Sequence, residues 1–317
     1  MPAGPLDAGT PAAGLLRAVG NTPLVELPFE ELPSGVRLFA KLESTNVGGS
    51  IKDRPVSRML AQAVAQNRLA GGRRLLDSSS GNAGIAYAQM GAALGLPVTL
   101  VVPGNASQER LQRITAHGAE LILTDPMEGY DHAVDTARRL AEEHPDRYWY
   151  CDQYTNPDNW RSHYETTGHE ILTQVFEATG DLPHAFVTGI GTGGTLTGVG
   201  RRLARRQRSL HVTAVLPELF PGIEGLKPLG DGHFVPEILD EGLIDRRVEV
   251  TIDQAVAMCH RLAARGFFVG PSSGAHVHAS LDLAQHGDHP TVVTMLCDTG
   301  ERYGTTRMWP TPPAYGD

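Results

Sequence analysis

The chain has 317 residues, 41% hydrophobic and 20% charged, an ordinary globular profile with length enough for a large core and two lobes. Its formal net charge of −9, from 27 basic and 36 acidic residues, leaves no basic excess to neutralise phosphates and argues against a nucleic-acid partner. The three cysteines, Cys151, Cys259 and Cys297, lie far apart and offer neither a disulfide framework nor zinc spacing, so a reducing cytoplasm and no metal are expected.

In chain order, Met1–Gly20 is rich in Ala, Gly and Pro, and its first basic residue is Arg17, so no signal-peptide charge region is expected. Strands are predicted at 36–42, 74–76, 98–102, 121–124, 185–188, 212–215 and 292–296. Helices are predicted at 56–67, 84–94, 108–117, 132–143, 162–176, 196–205, 252–265 and 275–285. Continuous apolar strands alternating with helices imply an α/β fold with parallel sheets flanked by helices. The run from Ala83 to Val102 is apolar enough to suggest a membrane span, but Gly91, Gly95 and Pro97 interrupt it. A buried helix followed by a buried strand explains it better, with no membrane partner. The basic run at Arg201, Arg202, Arg205, Arg206 and Arg208 reads as the polar face of a helix. His276 and His278 read as a surface or helix-start pair rather than metal ligands.

Only three of the 27 basic residues are lysine: Lys41, Lys52 and Lys227. Arginine serves wherever a generic positive charge is enough. Only lysine can shed its proton and attack a carbonyl, so these three are candidate nucleophiles. Lys52 precedes a predicted helix with Pro55 in its first turn. A cation beside a helix N-terminus is electrostatically disfavoured, which favours the free amine; the rival reading is a surface lysine paired with Asp53.

Loops at the carboxyl ends of parallel strands are where ligands bind. Three have that placement: Ser79-Ser80-Gly81-Asn82, Gly189 to Thr195, and Gly270-Pro271-Ser272-Ser273-Gly274. Gly189-Ile190-Gly191-Thr192-Gly193-Gly194-Thr195 joins a strand to a helix and suits an anion at the helix N-terminus. Gly189, Gly191 and Gly194 also satisfy a dinucleotide fingerprint, with Glu218 about 24 residues on, which keeps an NAD-dependent oxidoreductase open. Hydroxyls at Thr192 and Thr195 suit a single phosphate monoester instead. Ser79–Asn82 could hold a carboxylate, or simply cap the following helix.

Ser50-Ile51-Lys52-Asp53-Arg54, preceded by Lys41-Leu42-Glu43 and Asn46, resembles the cofactor-lysine motif of the cysteine synthase and cystathionine β-synthase family. Gly20-Asn21-Thr22-Pro23-Leu24-Val25 resembles that family's opening motif. Gly191–Thr195 is similar to its phosphate cradle, Ser79–Asn82 to its substrate loop, and Ser272 falls on the serine that faces the cofactor ring nitrogen. The resemblance runs from about Ala13 to Arg307. Asp152-Gln153-Tyr154, Asn156 to Asn159, His163-Tyr164, Thr166 to Gly168, Pro221-Gly222-Ile223 and Cys297-Asp298 look closest to the B-type cysteine synthase. The departures are Ser79 and Ala83, where the family loop commonly has threonine, and Val47 where proline is common.

The resemblance implies a two-lobed pyridoxal-phosphate fold of type II, like the tryptophan synthase β subunit. It places a smaller, mobile lobe with the substrate loop at 47–154, a larger cofactor-phosphate lobe at 13–46 plus 155–310, and tails at 1–12 and 311–317. Pyridoxal 5′-phosphate would bind through Lys52, Asn82, Gly191, Thr192, Gly193, Gly194, Thr195 and Ser272, with Lys52 as the catalytic Schiff-base residue. Ser79, Ser80, Gly81, Gln153 and Gly222 would contact the substrate. The implied reaction is β-replacement on O-acetylserine or O-phosphoserine by a sulfur nucleophile, in a homodimer. Sulfide, thiosulfate, a carrier-protein thiocarboxylate, ammonia (giving 2,3-diaminopropionate) and homocysteine (giving cystathionine) remain open as nucleophiles.

Overall fold

A computed structural model describes residues 11–230, 233–306 and 308–310. The expected tails lie almost wholly outside the described residues. The strands are β1 (Leu24–Glu26), β2 (Arg37–Leu42), β3 (Arg74–Ser78), β4 (Val98–Pro103), β5 (Glu120–Thr124), β6 (Tyr148–Tyr150), β7 (Ala185–Gly189), β8 (His211–Pro217), β9 (Arg246–Val250) and β10 (Thr291–Leu296). The helices are α1 (Pro11–Arg17), α2 (Asp53–Ala65), α3 (Asn82–Leu94), α4 (Gln108–Ala116), α5 (Gly129–Glu143), α6 (Pro157–Glu165), α7 (Thr167–Thr179), α8 (Gly194–Ala204), α9 (Ile252–Ala263) and α10 (Pro271–His286).

They build two sheets. One has six strands in the order β1-β2-β10-β7-β8-β9, parallel except for β1, and the other four parallel strands in the order β5-β4-β3-β6. Alternation along the strands explains why helices cover both faces. Leu38, Ala40, Ala185 and Val187 pack with α9 and α10, while Phe39, Phe186, Val293 and Met295 pack with α7 and α8. In the smaller sheet Leu75, Leu100 and Val102 pack with α2, α3 and α4, and Leu76 and Val101 with α5. Each fully buried aliphatic side chain contributes about 1.5–3 kcal/mol, so a one-residue slip in register would be costly.

The suspected membrane run is α3 followed by β4, whose six residues are all buried. No described helix is long and apolar enough to cross a membrane. The segment predicted as one helix over 162–176 is two, with Thr166 (φ −109°, ψ −76°) between them. The Thr166 hydroxyl donates to Ser162 O and accepts from Arg54, a local alternative to the helical ladder. Asn156 caps α6 by accepting from Asp158 N, with Pro157 opening the helix.

Candidate active site

Lys52 is positioned by the ends of other elements. Ser50 bridges Asp298 just beyond β10, and Ile51 N donates to Cys297 O at 2.9 Å. Val56 N then donates to Lys52 O, so the lysine stands at the N-cap of α2. Asp53 is buried and accepts from Gly48 N at 2.6 Å, and burial pushes its carboxyl up to about 6. It therefore closes the preceding loop, and the expected alternative of a surface Lys52–Asp53 pair is not what forms.

The other two lysines are engaged elsewhere. Lys41 is fully buried and pairs with Glu170 at 2.7 Å, which also binds Arg54; the guanidinium and ammonium hold the Glu170 carboxyl down at about 2 against the effect of burial. Lys227 Nζ lies 4.9 Å from the Tyr154 ring centroid, 5.3 Å from Tyr130 and 5.7 Å from Phe234, and 3.3 Å from Asp131. Lys52 makes no ion pair among the described residues.

A cavity of about 440 Å³ is lined by Lys52, Ser79, Ser80, Gly81, Asn82, Gln153, Gly191 and Thr192. A smaller space of about 40 Å³ beyond it is lined by Lys52, Asn82, Gly191, Thr192, Gly193, Gly194, Thr195 and Ser272. The two share Lys52, Asn82, Gly191, Thr192, Gly225, Leu226 and Tyr303. Of the residues expected from the sequence to contact cofactor or substrate, only Gly222 lines neither. Gly225, three residues on, does so, at φ +89°, and a Cβ there would stand 3.7 Å from the Ser272 hydroxyl. Ser272 itself lies inside the first turn of α10 rather than in a loop, because Pro271 already opens that helix.

The glycine loop leaves β7 and enters α8. A Cβ on Gly189 would stand 2.3 Å from Leu226, on Gly191 2.8 Å from Gly225 O, on Gly193 2.9 Å from Leu239, and on Gly194 2.0 Å from Asn159 Oδ1. Gly193, the N-cap at φ +82°, offers no side-chain hydrogen bond, so the first N–H groups of α8 have no acceptor within the helix. Two neutral histidines brace this loop. His276 Nε2 accepts from Gly189 N at 2.8 Å while its Nδ1 donates to Met295 O at 3.1 Å. Burial pushes His276 down to about 4 and His163, beside Thr195, well below its ordinary value. Of the surface or helix-start placement expected, His276 keeps the second: it lies near the start of α10 but is buried, as an interior support. No group of His, Cys, Asp or Glu able to hold a metal occurs among the described residues.

The dinucleotide reading finds no support at Glu218, which accepts from Ile252 N at 2.6 Å at the start of α9. Asn159, named in the sequence only for subgroup resemblance, joins the two loops: its Nδ2 donates to Gln153 O at 2.7 Å and to Thr192 Oγ1 at 3.0 Å. Asn82 is held by Asp298, accepting at 2.6 Å, and by Arg302, which donates to its Oδ1.

A cysteine synthase of Aquifex aeolicus is 45% identical over 93% of this chain and 91% of its own length. A cysteine synthase B of Salmonella typhimurium is 36% identical over 93% and 95%. The crystal structure of an O-ureido-L-serine synthase superposes with a TM-score of 0.84 at 37% identity, covering 93% of this chain and 94% of that one. Residues 15–298 match the family model described as pyridoxal-phosphate dependent enzyme. With a lysine amine and an uncapped helix N-terminus sharing one cavity, the chain belongs to the pyridoxal-phosphate dependent enzymes.

Proposed function

We propose that the protein catalyses β-replacement on an O-activated L-serine, O-acetylserine or O-phosphoserine, with a sulfur nucleophile, giving cysteine or an S-substituted cysteine. The observation that carries this is the adjacency of Lys52 to both loops: one suited to a phosphate monoester, the other to an amino-acid carboxylate. Its cysteine synthase relatives supply the reaction class.

The residues fit pyridoxal 5′-phosphate. The N–H of Thr195, that of Gly194 (which reaches Thr192 Oγ1 at 3.4 Å), the hydroxyls of Thr192 and Thr195, and Gly191 and Gly193 would hold its phosphate. Ser272 would face the ring nitrogen, and Asn82, with one Nδ2 hydrogen beyond its bond to Asp298, the ring hydroxyl. When bound, the cofactor supplies an electron sink that makes the substrate's α-proton acidic and its β-substituent a leaving group.

Lys52 Nζ would hold the cofactor covalently and, as a free amine, would take the substrate's Cα proton and later return it. The neutral Ser272 hydroxyl, unlike a carboxylate, would impose no proton on a ring nitrogen facing it, which suits elimination. Ser79, Ser80, the Gly81 N–H and Gln153 would orient the substrate carboxylate. Movement of residues 47–154 toward 13–46 plus 155–310 would exclude water. The sulfur donor would be sulfide, thiosulfate or a carrier-protein thiocarboxylate, and the working form a cytoplasmic homodimer.

The test is a titration of the yellow holoenzyme with O-acetylserine and O-phosphoserine, followed by a panel of nucleophiles that includes ammonia and homocysteine. A spectral change with either ester and product formed with a sulfur nucleophile is the expected result. Borohydride should fix the cofactor on the Lys52 peptide. No spectral response to either ester would overturn the assignment, and turnover with ammonia or homocysteine alone would replace the nucleophile.

A further inference from the structure

Asp77 is fully buried at the carboxyl end of β3 and makes no ion pair among the described residues. Its Oδ1 accepts from Ser78 N at 2.7 Å and its Oδ2 from Tyr87 Oη at 2.6 Å, and the nearby backbone N–H of Gln153 favours its ionised form alongside these donors. These donors belong to three segments that frame the cavity. Ser78 leads into Ser79–Asn82, Tyr87 stands on the helix that Asn82 begins, and Gln153 follows β6. On its other side the Ser78 carbonyl accepts from Tyr130 Oη at 2.6 Å and from Gln153 Nε2 at 3.0 Å. Ser78, just before the serine loop, is therefore gripped at both its N–H and its C=O.

We propose that Asp77 is a positioning residue for the substrate's carboxylate: one buried side chain sets the loop of Ser79 and Ser80 against Gln153, and so sets amino-acid affinity. This rests on reading Ser79, Ser80 and Gln153 as the carboxylate contacts.

Three converging donors explain why an acceptor-only group sits here, since a buried N–H without a partner is costly. The titratable groups facing Asp77 are Tyr87 on α3, Tyr130 on α5, and Tyr150, Cys151, Asp152 and Tyr154 on and after β6. Asp152 is a like charge. Burial, the largest influence, pushes Asp77 up to about 7. Below that pH the carboxyl is neutral; above it the carboxylate is ionised. When neutral it can itself donate to Tyr87 Oη, so the contact between the two side chains is kept. The network stays closed in both states. A substrate carboxylate beside Ser79 adds a second like charge, so binding favours neutral Asp77. KM for the serine ester therefore rises as pH rises through about 7.

The experiment measures KM and kcat of the holoenzyme for O-acetylserine with sulfide from about pH 6 to 8.5, on either side of the Asp77 transition. In the wild type KM rises across that range. Asp77→Asn keeps the neutral-state bonds, so it retains the cofactor spectrum and the low KM of the acidic limb and loses the pH step. Asp77→Ala raises KM about tenfold or more, the scale of one lost buried hydrogen bond, with a much smaller change in kcat. If Asp77→Ala does not fold, Tyr87→Phe carries the same test with a smaller rise in KM. A wild-type pH step in Asp77→Asn, or unchanged KM in Asp77→Ala and Tyr87→Phe, overturns the proposal. Gln153→Ala separates the two readings. If it leaves KM unchanged, the carboxylate assignment itself fails. If it raises KM while Asp77→Ala and Tyr87→Phe do not, only the role of Asp77 falls.

Discussion

The two loops that meet at Lys52 are built on opposite principles. In the loop after β7, Cβ atoms on Gly189, Gly191, Gly193 and Gly194 would all meet another atom within 3.0 Å. In the loop after β3, a Cβ on Gly81 would meet nothing within 4 Å, and Ser80 and Gly81 are only partly buried. One loop is fixed by packing on all sides; the other is tied down at its root by Asp77 and free at its tip. A group held throughout the reaction needs the first kind of site. A substrate that enters and leaves, with closure in between, needs the second.

Replacing Lys52 tests what the two loops serve together. Lys52→Ala should lose at least about a thousandfold in turnover, the scale of a removed general base, while both loops keep their structure. Its cofactor should become removable by dialysis. Turnover near the wild-type level would mean that another amine in the cavity, of which Lys227 is the candidate, does the chemistry.

The glycine loop should be the more sensitive to added volume. Gly194→Ala drives a methyl to 2.0 Å from Asn159 Oδ1, and Asn159 cannot yield without releasing Gln153 O and Thr192 Oγ1. Overpacking at such a site costs about 1–3 kcal/mol, which thermal melts and cofactor content should register together. A variant with unchanged cofactor affinity would remove the claim that packing, rather than phosphate approach alone, sets this loop.

His276 supports the same loop from below. With its folded pKa depressed to about 4 from an ordinary 6.5, the unfolded chain binds the proton first. The stability it contributes is complete above 6.5 and is lost as pH falls toward about 4. His276→Gln should flatten part of the acid limb of a stability profile, measured by melts across that range. An unchanged profile would place the acid sensitivity in His163 or the Glu170 cluster instead.

What could be read from the sequence follows the same division. Strands buried on both faces, such as β4 and β10, announce themselves as apolar runs, and the motifs around Lys52, Asn82 and Gly191 follow or precede such elements. The three-residue strands β1 and β6 and the polar edge strand β9, Arg246–Val250, were missed, because edges lack the buried pattern that gives strands away. Gly225, His276 and Asp77 carry no motif of their own. The roles of Gly225 and His276 come from contacts across 34 to 87 residues, as between Gly189 and His276, and that of Asp77 from its bonds to Ser78 and Tyr87, which only the folded chain sets against Gln153. Lys227 had one signal, its rarity as a lysine, and its place over Tyr130, Tyr154 and Phe234 at the cavity wall answers it.

The smallest expected effect is the most direct test of the comparison. Gly81 has φ −102° and ψ −148°, outside the left-handed region, and open space where a Cβ would stand. Gly81→Ala should leave the melting temperature and the cofactor content unchanged, because nothing in the resting loop is displaced. If the tip moves onto the substrate carboxylate, the same methyl meets the substrate or the closing wall only in the closed state. KM for the serine ester should then rise a few-fold, with little change at the cofactor. Equal losses of stability and cofactor in Gly81→Ala and Gly194→Ala would erase the distinction between a packed cradle and a free tip. A change confined to KM in the first, beside a loss of cofactor in the second, is the signature of one loop shaped by the fold and another completed by its ligand.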